Sequence, residues 1–136
     1  MTDFRVSEAA ALLGVSDDTV RRWSEAGRLT LHKDHGRSVI RGTELASLAQ
    51  ELAAESALST AFPSSRASAR NRITGIVTKV TKDGVMAQVD MQAGPFRIVS
   101  LMSREAADEL GLEPGSLARA SVKATNVVIE IPGESS

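Results

Sequence analysis

Apolar positions along the chain follow two rhythms. In the first half they recur every three or four residues, in blocks separated by glycine. Residues 6–13 predict a short helix with Ser7 as N-cap, Glu8 in the first turn, and Ala10, Leu12 and Leu13 on its apolar side. Gly14 ends it, because glycine relieves left-handed strain at a helix C-terminus. Ser16 caps a second helix, about Asp17 to Ala26, with Asp17 and Asp18 at its positive end, Val20 and Trp23 on one side, and Gly27 as its stop. Residues 28–41 predict a hairpin: Leu29 and Leu31 lead in, His32 to Gly36 turn, and Val39-Ile40 lead out. Thr43 caps a third helix with Glu44 behind it, whose stripe Leu45, Leu48, Leu52 suits contact with the first two.

After residue 55 the helical rhythm stops. Residues 55–67 are rich in Ser and Ala, and Phe62-Pro63 interrupts any helix, because proline keeps the preceding residue out of helical angles. This predicts a flexible joint near residue 60, taken as a linker over 56–66. From Ile73 the pattern alternates. Strands are expected at 73–80, 85–91, 96–102, 117–122 and 127–131, with Gly75 as a bulge or bend and Lys82-Asp83-Gly84 as a hairpin turn. Ser103 caps one short helix that Gly111 ends. Five strands and one helix suggest a small closed or half-closed barrel of the OB type. The expected fold class is α+β in two domains: a small winged helix-turn-helix over 1–55, then a five-stranded OB-like β-barrel with one short helix over 67–132.

Charge sharpens the first half. The chain as a whole is −1, yet between residues 21 and 41 six basic residues face two acidic ones. Two short helices joined by Gly14-Val15-Ser16 form the unit whose second helix enters the major groove of double-stranded DNA. Thr19, Arg21 and Arg22 are the candidates on that helix, and Arg28, His35, Arg37 and Arg41 those on the hairpin that follows. An isolated helix would carry such arginines merely as solvated charge; the turn, Trp23 and the basic run together favour DNA.

Composition excludes several classes. With no cysteine there is neither a disulfide framework nor a thiolate metal site, and His32 and His35 alone do not make a metal cluster. No apolar run approaches the ~20 residues of a membrane span, and the first ten residues lack the apolar core of a signal peptide. A cytoplasmic protein with no membrane partner is expected. No nucleophile–base pair, carboxylate pair with histidine or phosphate-cradling loop is visible, so no enzyme, no catalytic residue and no organic cofactor are expected.

Two stretches stand apart: Ser68-Ala69-Arg70-Asn71-Arg72, and Lys123-Ala124-Thr125-Asn126-Val127. Each offers cationic or hydroxyl donors and neither holds a carboxylate, which suits a fully ionised oxyanion. Arg70 and Lys123 supply charge, Ser68 and Thr125 hydroxyls, and Ala69, Ala124 and Thr125 backbone N–H groups. Plainer readings stand beside this one: Arg70 paired with a neighbouring acid, Asn71 serving a turn, Lys123 as a solvated strand end.

Both halves carry family resemblances. The series VSEAAALLGVS, DDTVRRW, EAGRL and GR, over about residues 4–54, resembles the excisionase-type, MerR-like winged helix-turn-helix family, without the long dimerisation helix of full MerR regulators. The runs SARNRITGIV, DGVMAQVDM, SLMSREAADELGLEPGS and ARASVKATNVVI, over about 66–131, resemble the Mop-type molybdate-binding domain, also called TOBE. Gly94-Pro95 stands where that family usually has a double glycine, and Gln88 where it often has an acid. The resemblance implies molybdate or tungstate as ligand. It adds Ser103, ahead of a Leu-Gly-Leu, to the oxyanion set, though Ser103 also suits a helix cap; Ser100 is the fallback. It further implies sites between subunits, residues 68–70 of one chain facing 123–125 of another, in a homo-oligomer patterned on the hexamer of single-domain Mop proteins. The expected function is a molybdate- or tungstate-responsive transcriptional regulator, and the alternative is molybdate storage without regulated DNA binding. Single-strand binding by the barrel is disfavoured, because Phe96 is its obvious aromatic and stacking platforms need more.

Overall fold

The computed structural model describes residues 2–62 and 70–133, in two compact units, Met1–Ser64 and Ser65–Ser136. The first unit contains β1 (Asp3–Arg5), α1 (Val6–Leu13), α2 (Asp17–Glu25), β2 (His32–Asp34), β3 (Arg37–Arg41), α3 (Gly42–Ala54) and α4 (Ala57–Ala61). The second contains β4 (Asn71–Lys82), β5 (Met86–Ala93), β6 (Phe96–Ser103), α5 (Arg104–Leu110), β7 (Leu117–Val122) and a 3-10 turn at Ala124–Asn126.

The first unit is organised around a core in which Val20 and Ile40 are fully buried, surrounded by Val6, Ala9, Ala10, Leu29, Leu45 and Leu48. Trp23 and Leu52 pack against this cluster half-buried. Each helix contributes one stripe and the sheet contributes one face, which is how a small three-layer unit buries apolar surface. Gly14 adopts φ 71° at the end of α1, and Ser16 Oγ accepts the Thr19 N–H at 3.1 Å to start α2, both as expected.

Two caps differ from expectation for one reason, the unpredicted strand β1. It pairs antiparallel with β3, Asp3 to Arg41 and Arg5 to Val39, giving a sheet of order β1-β3-β2. The strand runs directly into α1, so the N-cap is Arg5 rather than Ser7, and Glu8 Oε1 accepts the Arg5 N–H at 2.9 Å. At the other end of the ladder the Gly42 N–H donates to the Thr2 carbonyl at 2.8 Å. A Cβ at Gly42 would lie 2.7 Å from that carbonyl oxygen, so α3 starts there, with Arg41 rather than Thr43 as N-cap. Glu44 is used elsewhere: its Oε1 accepts the Thr30 N–H at 2.6 Å.

The hairpin is tighter than expected. β2 and β3 pair Asp34 with Arg37, leaving His35 and Gly36 as a two-residue turn with φ 51° and 79°. Positive φ at both positions is the primed geometry that matches strand twist. Residues 57–61, expected within the linker, form α4.

The second unit is a curled antiparallel sheet of order β6-β5-β4-β7. β4 is shared along its length: Asn71–Ile76 pair with β7, and Ile76–Lys82 with β5. The register breaks between Val77 and Lys79, so the bulge lies three residues beyond Gly75. Gly75 serves a close approach instead, since a Cβ there would stand 2.4 Å from the Gln92 carbonyl oxygen. Alternation along β5 buries Ala87, Val89, Met91 and Ala93, whereas Val85, expected to begin the strand, is exposed in the turn before it. Asp83 Oδ1 accepts the Val85 and Met86 N–H groups and fixes that turn. The fifth expected strand, 127–131, is not formed: Val128, Ile129 and Ile131 are 87%, 84% and 91% exposed. The barrel is therefore half-closed and four-stranded among the described residues.

On the outer face of β5 the carboxylate of Asp90 is buried, bonded by Gln88 Nε2 at 3.1 Å and by the Arg97 guanidinium. The Gln88 and Arg97 bonds hold its pKa below the usual carboxylate value. Backbone bonds from Met86 and Val85 do the same for Asp83, and the Lys82 ammonium for Asp108.

Two outcomes follow. Gly75→Ala lowers the unfolding free energy by about 1–3 kcal/mol in urea melts followed by circular dichroism. Gly84→Ala, where a Cβ meets nothing, changes it by less than about 0.5 kcal/mol. Because the folded pKa of each of these three aspartates is depressed, their stabilisation is present above the unfolded value of about 3.9 and fades as pH falls below it. Acid melts of Asp90→Asn should show lower stability at neutral pH and a shallower loss below about pH 4.

Candidate functional site

In the second unit the β4–β7 ladder brings the two donor stretches together. Its last pair is Asn71 with Val122, and Asn71 Nδ2 also donates to the Val122 carbonyl at 3.2 Å. Asn71 thus ties the two strands rather than shaping a turn. Arg70 and Lys123 lie one residue beyond that pair, just outside β4 and β7 respectively, both exposed. Among the described residues no carboxylate pairs with either cation.

The turn Ala124–Asn126 follows at once. Its bonds run from Asn126 N–H to Lys123 C=O at 2.8 Å and from Val127 N–H to Ala124 C=O at 3.3 Å. The N–H groups of Ala124 and Thr125 open the turn, where a helical turn has no internal acceptor for them. Ser68 and Ala69 lie outside the described residues.

Ser103 is placed elsewhere. It ends β6 opposite Met86, and its Oγ accepts the Ala106 N–H at 3.0 Å as the cap of α5. Met86 begins β5 beside the far end of β4, where Lys82 pairs with Ala87. In this antiparallel order Ser103 is therefore at the end of the sheet away from Arg70 and Lys123. Ser100 is nearer to them in the topology: it lines the cleft of about 460 Å³ whose other wall includes Ser121 and Val122.

The first unit presents a different charged surface. Arg21 of α2 and Arg37 of β3 line one shallow concavity of about 280 Å³ with Arg5 and Lys33, and Asp17 is the carboxylate on its rim. Arg5 escaped the sequence reading because β1 was not foreseen; its position before α1 is set by pairing with β3. Thr19 and Arg22 are bound to each other, Arg22 Nη2 donating to Thr19 Oγ1 at 3.1 Å, at the exposed start of α2. His35 is at the tip of the hairpin, exposed. Arg41 is at the opposite end of β3 from Arg37, outside the concavity. Arg28, expected among the DNA contacts, is committed to the fold: its guanidinium stacks 5.3 Å from the Trp23 ring centroid and pairs with Glu55 at 2.8 Å.

Comparison with known proteins follows the same division. Residues 4–53 match the model of a helix-turn-helix domain, and residues 67–129 that of a TOBE domain. Molybdenum-pterin-binding protein 2 of Clostridium pasteurianum is 40% identical over 63 residues, which are 46% of this chain and 93% of that protein. The chain belongs to the TOBE family. Another TOBE relative, molybdenum-pterin-binding protein MopA of Rhodobacter capsulatus, is 38% identical over 68 residues, 49% of this chain; the chain spans only 26% of that longer protein. Among solved structures, a molybdate-binding protein from Sporomusa ovata is 28% identical, covering 49% of this chain and all of that one with a TM-score of 0.48. A molybdate-bound form of the cytoplasmic molybdate-binding protein ModG is 39% identical, covering 54% of this chain and 51% of that one with a TM-score of 0.47. No described helix is long and apolar enough to cross a membrane.

Proposed function

We propose that this TOBE-family chain is a molybdate- or tungstate-responsive transcriptional regulator. Its second unit senses the oxyanion and its first unit binds double-stranded DNA. The observation that carries the sensing half is the β4–β7 ladder. What supports the reading is its last pair, Asn71 with Val122: Arg70 and Lys123 are the next residues along, the N–H groups of Ala124 and Thr125 follow within two residues, and no described carboxylate pairs with either cation. A dianion with acceptor oxygens on every side needs such a donor-only setting. The relatives named as molybdenum-pterin-binding proteins point to molybdenum oxyanion as the ligand.

Ser103 belongs to the same set only across a subunit boundary. Since the sheet holds it at the far end from Arg70 and Lys123, one ion touches both groups when they come from different copies. Ser68 and Ala69 complete the arginine side. This makes the oligomer, on the pattern of a hexamer, part of the sensor rather than an accompaniment. Oxyanion binding then shifts operator affinity by the difference in its affinity for two arrangements of the assembly.

For DNA, α2 is the groove element and the β2–β3 hairpin the flanking wing. Arg21 and Arg37, with Arg5 and Lys33, form the phosphate-facing concavity; Thr19, Arg22, His35 and Arg41 extend the surface. Molybdenum-pterin-binding protein 2 is matched over 93% of its length by 63 residues of this chain, so the helix-turn-helix half is what this chain adds to it. That addition favours regulation over storage.

Calorimetric titration of the full chain with molybdate, tungstate and sulfate tests the sensor. Arg70→Ala and Lys123→Ala should each lower molybdate affinity at least about tenfold, since a bond between charged partners is worth roughly 1.5–3 kcal/mol. Unchanged affinity in both would remove the assigned site. DNA binding measured by anisotropy against salt tests the other half: Arg21→Ala and Arg37→Ala should each reduce the slope of log affinity on log salt by about 1. Operator affinity that ignores molybdate would leave storage as the function.

A further inference from the structure

Five charged side chains line the concavity of about 280 Å³ in the first unit: Arg5, Arg21, Lys33, Arg37 and, opposite in sign to the rest, Asp17. They come from β1, from α2 and from both arms of the β2–β3 hairpin. Two of the cations are engaged within the fold, Arg5 with Glu8 at 3.5 Å and Lys33 Nζ with Ser38 Oγ at 3.2 Å.

A carboxylate among cations is ordinarily neutralised by one of them. Asp17 and Arg21 are four residues apart on α2, the spacing at which helical ion pairs form. Yet no ion pair among the described residues includes Asp17, and the residue is exposed. Little of the fold rests on it. Ser16 caps α2, and Asp18 brings the same favourable charge to the first turn of that helix without lining the concavity.

On a surface that meets DNA, such a carboxylate repels the phosphate backbone that the cations attract. What it can accept is a base donor. The N-terminal residues of a recognition helix are the ones that meet base edges in the major groove, and Asp17 is the first residue of α2. Guanine shows acceptors there, and thymine an acceptor and a methyl group. Adenine sets the N7 acceptor beside its amino group. Cytosine offers its N4 amino group as a donor with no acceptor on the same base.

We propose that Asp17 is a base-reading residue, whose carboxylate accepts a hydrogen bond from the N4 amino group of one cytosine in the major groove. By repelling phosphate it also holds the cations around it to the register in which that cytosine lies under the start of α2. This rests on the DNA-binding reading of the first unit and adds the residue that makes its surface sequence-selective. Specificity is a difference of affinities, and a repulsive charge raises it by weakening every other register.

The full chain and its variants select from a duplex pool with a randomised core, with and without molybdate. The wild type should enrich a motif with a position held as cytosine, and Asp17→Ala should lower that preference at least about fivefold while the rest of the motif stays. Asp17→Asn should turn the same position to adenine, because an amide both accepts from N6 and donates to N7. Asp18→Ala, altered in the same helical turn but outside the concavity, should select the wild-type motif. Anisotropy on mixed-sequence duplex gives a second readout: Asp17→Ala should bind it roughly two- to fivefold more tightly than the wild type, the size of one exposed charge interaction. An unchanged motif in Asp17→Ala, the same relaxation in Asp18→Ala, mixed-sequence binding that does not tighten, or wild-type binding without base preference each overturns the proposal. A wild type that retains no duplex overturns the DNA-binding reading itself, and the role of Asp17 with it.

Discussion

The second unit depends on one strand being paired on both sides in sequence. β4 spends its first half on β7 and its second half on β5, with the register break between Val77 and Lys79 where the duties overlap. A flat strand could not do this. The bulge bends the ladder, and Gly75 lets Gln92 come within a distance that any Cβ would forbid. The same ladder pairs Asn71 with Val122, 51 positions away, and leaves Arg70 and Lys123 as the next residues beyond that pair. Asn71, bonded to the Val122 carbonyl, fastens the pair at its base.

Cationic side chains in the two units are used in contrasting ways. Arg28, Arg97 and Lys82 are given carboxylate partners and hold elements together. Arg70 and Lys123 have no carboxylate partner among the described residues, and Arg21, Arg37 and Lys33 line a concavity with Asp17 and with Arg5, which is itself paired with Glu8. Like charges held close cost free energy unless an anion joins them. The cations with carboxylate partners therefore tie elements of the fold together, and the others leave positive charge open to solvent. The 63 matched residues make up 93% of molybdenum-pterin-binding protein 2 of Clostridium pasteurianum, so a sequence like that of the second unit can stand almost as a whole protein.

The ends of α1 and α5, the caps of α2 and α5, the turn at Asp83 and four of the five barrel strands were legible in the sequence because their causes are local. Gly14 and Gly111 stop helices by adopting positive φ, Ser16 and Ser103 cap them with a hydroxyl, and the Asp83 side chain closes its turn within three residues. The donor-only character of residues 68–72 and 123–127 was legible for the same reason, since it is a matter of composition. What only tertiary structure decided involves residues far apart. Pairing of Asp3–Arg5 with β3 created a strand of three residues, moved two helix caps, and brought Arg5 into the charged concavity. Contact with Trp23 and Glu55 gave the partly exposed Arg28 partners within its own unit, and the ladder order sent Ser103 to the opposite end of the sheet from Lys123. The run at 127–131 has the β-branched pattern of a strand, but a strand exists only where another edge pairs with it, and one copy of the chain leaves that edge unmatched.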